Sequence, residues 1–406
     1  MKNYIKSIQG KDKNMSLDMK NKRNLAILFV LMLPFSWVNF SFGSVYRIIT
    51  FAIFALFLVD NKGIIVIKAD KKSLFFTWIT YCLYTIITFL WSGMEEISKN
   101  TMLGMCILLA ISIIFFTTEI REERKKLMDL AWILGGCVFI ILFFTGKTAS
   151  VGFGSRQTLL ILGTWTDPNE FASYFVVAIP LALYSLFEYK NKIIKILSAF
   201  TVIGGIYVVL MSGSRGALIS MLISVSISFL ISMKDSPKRI FLFVVILIIG
   251  YYIFMNYLLP LIPAETFKRL SIEALAADNG SGRSQIWERG LKQFQSGNAF
   301  NILFGYGYGG LMVDTGLSYI TATTTMHNQF LQQIVCYGII GFCLYIRLFF
   351  YVIRDFIKNK KELIGPFVGI IVMGMTITMG PSYKILWILL FHAGLQYKGE
   401  LINEKY

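Results

Sequence analysis

The chain has 406 residues, 56% of them hydrophobic and only 15% charged, with a formal net charge of +16. A soluble domain carries about a quarter charged residues, so this composition excludes one. The basic excess does not mark a nucleic-acid binder, because Lys and Arg fall in short clusters between apolar runs and form no stripe on a soluble face.

The apolar runs recur along nearly the whole chain, each roughly long enough to cross a hydrocarbon layer of about 30 Å. Backbone polar groups must be satisfied within lipid, so the runs are expected to be helices. Spans are expected near 24–41, 45–60, 74–92, 101–118, 128–145, 168–187, 194–211, 214–232, 238–258, 329–350, 363–380 and 382–397. The first run follows Lys20, Lys22 and Arg23. It is long for the apolar core of a signal peptide and lacks a small-residue cleavage site, so it is read as a span. All five cysteines, Cys82, Cys106, Cys137, Cys336 and Cys343, fall within apolar runs and form no C-x-x-C pair. They read as small packing residues. The expected fold class is therefore all-α and polytopic, with about twelve transmembrane helices.

Basic residues set the expected orientation. With the N-terminus in the cytoplasm, the cytoplasmic segments hold 27 of the 39 Lys and Arg residues. The other face holds eleven, five of them in one long loop, and Arg347 is left inside a span close enough to its cytoplasmic end to snorkel. This divides the chain into a transmembrane region at 1–258 with about nine spans, a large external loop at 259–326, and a transmembrane region at 327–406 with about three spans. The external loop is long enough for short helices of its own, and loops of that length are usually functional. A second external segment, 146–167, is also longer than a turn.

The polar residues that suggest chemistry lie on the expected external side. Arg156 sits in Gly154-Ser-Arg-Gln157 and Arg215 in Ser212-Gly-Ser-Arg-Gly216, a short turn between two spans. A guanidinium at headgroup depth binds phosphate bidentately, and Arg215 could equally rest on a lipid phosphate. In the long loop, Arg283 and Arg289 flank Trp287. Helical spacing puts Trp287, Leu291 and Phe294 on one face, with Arg283 one turn before Trp287 on that face and Arg289 on another. The run Phe304-Gly-Tyr-Gly-Tyr-Gly-Gly310 places glycines at alternate positions, including Gly305 and Gly307. Such backbone suits either turns whose amides approach an anion or a tight turn that sets tyrosines against a sugar.

Of the two histidines, His392 lies in the last expected span and reads as a packing residue. His327, beside Asn328 at the mouth of a span, can serve as a general base, since a neutral imidazole is available near neutral pH. Asp167 can cap a helix with Pro168 at its first position. No Asp-x-Asp pair lies on the external side, and no His/Cys metal spacing exists, so no metal and no cofactor are expected.

Together these residues resemble the O-antigen ligase/polymerase family of bacterial envelope polysaccharide enzymes. The resemblance is carried by Asp167-Pro-Asn-Glu-Phe-Ala172, Ser214-Arg-Gly216, Gly282-Arg283 with Trp287, Phe304-Gly-Tyr-Gly307, His327-Asn328 and Tyr337-Gly-Ile-Ile-Gly341. It is strongest from Asp167 to Gly341, and outside that stretch the match is in hydropathy only. The resemblance implies a metal-independent glycosyltransferase in the bacterial cytoplasmic (inner) membrane, with its active site facing outside. Its donor would be an oligosaccharide on undecaprenyl diphosphate. Arg215 and Arg283, with Arg289 and Arg156 as further candidates, would bind the diphosphate, and His327 would engage the acceptor hydroxyl or the leaving group. Trp287, Gly305, Gly307 and Asn328 would shape the glycan site or its loop, and the long loop would close over the site to exclude water.

Polymerisation of repeat units of a capsule, exopolysaccharide or O-antigen is the preferred reading. Expected partners are the lipid-linked oligosaccharide, membrane lipid, and the flippase and chain-length regulator of an export system. A ligase passing the glycan to a lipid or cell-wall acceptor is the alternative within the family. A transporter or exporter of lipid-linked sugars is the alternative outside it. Transporters usually place polar groups at mid-membrane in paired repeats, whereas these spans are nearly free of charge.

Overall fold

Helices form over most of the expected apolar runs in a computed structural model of the protein. The structure describes residues 25–40, 43–93, 95–121, 125–151, 156–232, 262–270, 283–308, 325–381 and 383–398, with scattered positions between 241 and 260. Helix α1 spans Val45–Asp60, α2 Lys72–Ile87, α3 Glu95–Thr117, α4 Lys125–Thr145, α5 Pro168–Glu188, α6 Lys192–Met211 and α7 Arg215–Ser232. The later helices are α8 Ala264–Leu270, α9 Arg283–Gln295, α10 Ala299–Phe304, α11 Gln329–Asn359, α12 Ile364–Gly374 and α13 Lys384–Phe391.

Among the described residues, six helices are long and apolar enough to cross a membrane. They are Ala69–Trp91 (around α2), Glu96–Thr117, Lys126–Thr145, Pro168–Glu188, Lys192–Met211 and Gln329–Asn359, and Arg215–Ile231 and Lys384–Gly394 are shorter apolar helices. The chain is thus a multi-pass membrane protein. The surface agrees: Leu56, Phe76, Phe144, Ile203, Leu222 and Phe350 are exposed on six different helices. Lipid tails accommodate such side chains, while a water-soluble monomer rarely tolerates apolar exposure on this scale.

The expected count of twelve is met only in part. The span expected at 238–258 falls almost wholly outside the described residues. The runs expected as spans at 363–380 and 382–397 give the 11-residue α12 and the eight-residue α13. At 1.5 Å per residue, neither crosses about 30 Å. Ile377, Met379, Gly380, Pro381 and Tyr383 of the non-helical chain between them are buried, and the chain is hydrogen-bonded within the protein. Met379 N–H donates to Gln329 Oε1 at 2.6 Å, Trp387 Nε1–H to the Gly380 carbonyl at 3.0 Å, and Lys384 Nζ to the Pro381 carbonyl at 2.8 Å. Irregular backbone is tolerated within a membrane protein when other protein groups satisfy it in this way.

Local sequence explains where the long helices begin. Asp167 accepts from the Asn169 and Glu170 amides with Pro168 at the first position of α5, and Asn191 caps α6 in the same manner. Both arrangements satisfy amides that a helix start leaves free. The helices then pack through small residues. Helix α12 lies against α7 and α5. An added Cβ at Gly369 would meet Ser224 Cβ at 2.6 Å, and one at Gly365 would meet the Ser228 side chain. Residues four apart share a helix face, so glycines on α12 and serines on α7 form a small-residue seam that lets the backbones approach. Ser224 Oγ also donates across to the Val176 carbonyl of α5 at 2.9 Å.

The bundle has two distinct polar ends. At one, Lys71 pairs with Asp355, Lys360 lies 3.2 Å from the same carboxylate, and Tyr189 donates to Asp129. There a short strand, Glu119–Arg121, pairs in parallel with Gln396–Lys398. At the other end, 147–151, 156–161 and 164–165 form a three-stranded antiparallel sheet within the external segment expected at 146–167, for which the sequence predicts no strands. The starts of α5, α7 and α11 gather beside this sheet and helices α9 and α10.

Candidate active site

The site end is organised by a break in α11. Gly338 has φ 64° and ψ −172° within an otherwise continuous helix. That conformation is nearly closed to residues with a Cβ. The break frees carbonyls just before it, and the glycine run takes them: Tyr306 N–H donates to the Val335 carbonyl at 3.1 Å and Gly307 N–H to the Cys336 carbonyl at 2.8 Å. Gly305 N–H closes α10 on the Asn301 carbonyl at 2.8 Å. Tyr84 of α2 bridges the two segments, its hydroxyl donating to the carbonyls of Phe304 (3.1 Å) and Tyr337 (2.8 Å). Trp91 Nε1–H donates to the Gly305 carbonyl at 3.2 Å.

Of the two uses expected for the glycines, approach of their amides to an anion is therefore corrected. The amides at 305, 306 and 307 are spent on carbonyls. Gly305 is needed for close backbone contact instead: a Cβ there would lie 2.2 Å from the Cys336 carbonyl oxygen. Tyr306 points its hydroxyl to the Gln293 carbonyl at 2.8 Å, so its phenol ties α9 to the loop.

These contacts make residues 329–337 a short helical segment fixed to α9 and α10 as much as to the rest of α11. Replacing Gly338 by Ala is expected to lower the thermal midpoint in detergent by at least several degrees. The backbone conformation alone costs about 1–3 kcal/mol for a residue with a Cβ. The new Cβ would also lie 2.3 Å from the Leu303 carbonyl oxygen. An unchanged midpoint would show that the break is dispensable.

His327 stands immediately before this segment, with φ 46°, in the left-handed region. That region is uncommon for residues other than glycine and is held only when neighbours fix it. Asn328 provides one fixed neighbour. Its side chain accepts from the Phe330 and Leu331 amides at 3.0 and 3.2 Å, so Asn328 is the cap of α11. Met326 provides the other. It is fully buried, and its carbonyl accepts from Trp287 Nε1–H at 2.8 Å.

Helix α9 brings Arg283 to His327. Ile286, Trp287 and Phe294 pack on the cluster of Met326, Val335, Cys336 and Tyr337, with Gly290 buried on the same helix. The expected apolar stripe is thus present, with Ile286 in the contact rather than Leu291. Arg283, one turn before Trp287, acts electrostatically on His327. Burial is the main influence that lowers the imidazole below its ordinary value near 6.5, the Arg283 charge lowers it further, and Asp167 opposes both. Arg289 lies elsewhere on α9. Its charge acts on Glu288, which makes an exposed pair with Lys292 at 2.7 Å.

Arg156 and Arg215 meet the site from the sheet and from α7. Arg156 opens the second strand of the sheet. Its Nε donates to the Ser212 carbonyl at 3.2 Å and its Nη2 to Asn169 Oδ1 at 2.9 Å. Ser214 Oγ donates to the same Asn169 oxygen at 2.9 Å and accepts from the Ala217 amide at 3.2 Å, capping α7. Arg156 therefore braces the helix start that presents Arg215, which is half-buried as the first residue of α7. The same network holds the start of α5, where Asp167 acts on His327. The motifs around Asp167, Arg215, Arg283 and His327, scattered over 160 positions, are thus gathered at one end of the bundle.

Two features escaped the sequence reading. Glu170 accepts a hydrogen bond from Trp37 Nε1, which anchors the start of α5 to the first described helix region. Gln329, Gln332 and Gln333 are all buried in the first turns of α11. Three amides at the mouth of an apolar run are the signal that could have pointed to them. Residues 199–346, which include Arg215, Arg283 and His327, match the family model described as O-Antigen ligase. No curated protein matches the chain.

Proposed function

We propose that the chain, whose residues 199–346 match the family model described as O-Antigen ligase, is a membrane glycosyltransferase that polymerises undecaprenyl-diphosphate-linked repeat units of a surface polysaccharide. The reaction takes place on the outer face of the bacterial cytoplasmic membrane and uses no metal ion. The observation that carries this reading is the half-buried His327, held at a positive φ next to the Trp287–Met326 contact of the Arg283 helix and within electrostatic reach of Arg283 and Asp167, with Asn169 of the Asp167 helix start bonded to the helix start of Arg215.

In the reaction, an acceptor hydroxyl oxygen attacks the anomeric carbon of the donor glycan. His327 takes the hydroxyl proton as the new glycosidic bond forms. The bond from that carbon to the diphosphate oxygen breaks, and the electron pair leaves with undecaprenyl diphosphate. Charge grows on the leaving group, and guanidinium groups of Arg283 and Arg215 stabilise it in a site where low dielectric strengthens each contact. Arg156 holds the Arg215 helix start in place. Trp287 and the tyrosines of the glycine run line the approach of the glycan. Helix α9 shields the reacting groups from water, which would otherwise hydrolyse the donor.

Ligation is the second reading, favoured by the description of the matching family. The lipid-linked glycan that accumulates in cells lacking the protein separates the two. Loss of a polymerase leaves single repeat units on undecaprenyl diphosphate. Loss of a ligase leaves long chains on the same carrier. Absence of any accumulated lipid-linked glycan would contradict both.

A further inference from the structure

We infer that Gln332 is the positioning residue for His327, acting with Trp287 as a two-sided clamp on the backbone of Met326. This rests on His327 being the base in the proposed reaction. Gln332 is 1% exposed, one turn into α11. Its Oε1 accepts from the Met326 amide at 2.8 Å and its Nε2 lies 3.2 Å from Cys336 Sγ. On the other side, Trp287 Nε1–H donates to the Met326 carbonyl at 2.8 Å. Both backbone polar groups of a fully buried residue are therefore held, one by α11 and one by α9.

The consequence falls on the next residue. His327 lies between Met326, clamped on both sides, and Asn328, fixed as a helix cap. With both neighbours immobilised, His327 has no freedom to leave its left-handed conformation at φ 46°. The clamp also joins two parts of the site. Trp287 lies one turn after Arg283 on α9, so the contact that places the diphosphate-binding arginine also sets the imidazole. Docking of α9 and orientation of the base become one event. Without the Gln332 acceptor, the buried Met326 amide loses its partner, and the chain shifts to recover one. A displacement of about 1 Å at a catalytic group can cost roughly 10²-fold in rate.

The test replaces Gln332 by Met, similar in length but without an acceptor for the amide, and Trp287 by Phe, which keeps a ring and loses the donor. Gln332→Met is expected to lower kcat by about 10²-fold with the donor KM unchanged, and Trp287→Phe to lower kcat by a similar factor. The chain has only two histidines, and His392 is buried in the bundle. NMR titration of histidine-labelled protein without substrate therefore reads His327 directly. Its midpoint is expected below the ordinary histidine value in the native protein, and to rise in both variants as the ring leaves its half-buried place near Arg283. An unchanged titration in both variants would overturn the clamp, whatever happens to kcat. So would a raised KM with kcat unchanged. Because the titration needs no substrate, it tests the clamp even if the reaction assignment fails. Trp287→Phe keeps the test open if Gln332→Met does not fold.

Discussion

Replacing Arg283 by Ala is expected to lower kcat by about 10²–10³-fold, the loss typical when one preorganised donor to a developing negative charge is removed. The sensitivity follows from the proposed reaction, in which the leaving group is a lipid diphosphate. Its charge increases as the glycosidic bond breaks, and the proposed mechanism has no metal ion to share that charge. Arg283 is half-buried on α9, one turn from the Trp287 anchor, so its guanidinium is held rather than dispersed in water. Lys at this position keeps the charge but loses the bidentate fork, and should recover only part of the activity. A second signature accompanies the rate loss. Arg283 is one of the influences that depress the His327 imidazole. In Arg283→Ala, the acid limb of the residual kcat/KM profile should move to higher pH. Single-turnover kinetics across pH measures both effects. Wild-type turnover in the alanine variant would remove Arg283 from the mechanism.

The comparable prediction concerns His327. Changing it to Ala is expected to cost about 10²–10⁴-fold in kcat, the usual contribution of a positioned general base. The direction of the pH dependence follows from its environment. A base works in its neutral form, so activity is present above the folded pKa and is lost as pH falls through it. Burial and Arg283 set that pKa below the ordinary value near 6.5, and the acid limb of kcat/KM should lie below it as well. Asp167 acts in the opposite sense, so Asp167→Asn should move the limb still lower. A profile that persists unchanged in His327→Ala would show that another group takes the proton.

Much of this architecture was legible in the sequence because bilayers constrain it tightly. Apolar runs of about twenty residues, bounded by Lys and Arg, marked α2 to α6 closely. Asp167-Pro168 named the start of α5, whereas Asn328, expected to shape the glycan site or its loop, is found to cap α11. What could not be read was every feature set by distant partners. The apolar run from 329 to 350 looks continuous, yet it is broken at Gly338, because the glycine run some thirty positions upstream satisfies the carbonyls that the break exposes. The same set of backbone hydrogen bonds takes the amides of Gly305 and Gly307 away from any anion.

Similarly, α12 and α13 fall short of full spans because Gln329 and Trp387 satisfy the non-helical chain between them. The candidate site was legible as residue types: arginines, a lone histidine and a tryptophan at helical spacing. Their grouping was not. It depends on Asn169 joining Arg156 to Ser214 and on Met326 being held from both sides. The three glutamines at the mouth of the run signal only a polar cluster there, and nothing in the sequence names Asn169 or Gln332 for these particular partners.

The central claim is that guanidinium groups and one imidazole carry out glycan transfer from a lipid diphosphate without a metal ion. It is tested most directly by incubating the purified full chain with purified lipid-linked repeat units in EDTA and following chain length. The account predicts longer chains at the same rate with and without EDTA, and almost none with Arg283→Ala or His327→Ala. A strict requirement for a divalent cation, or full elongation by those two variants, would contradict it.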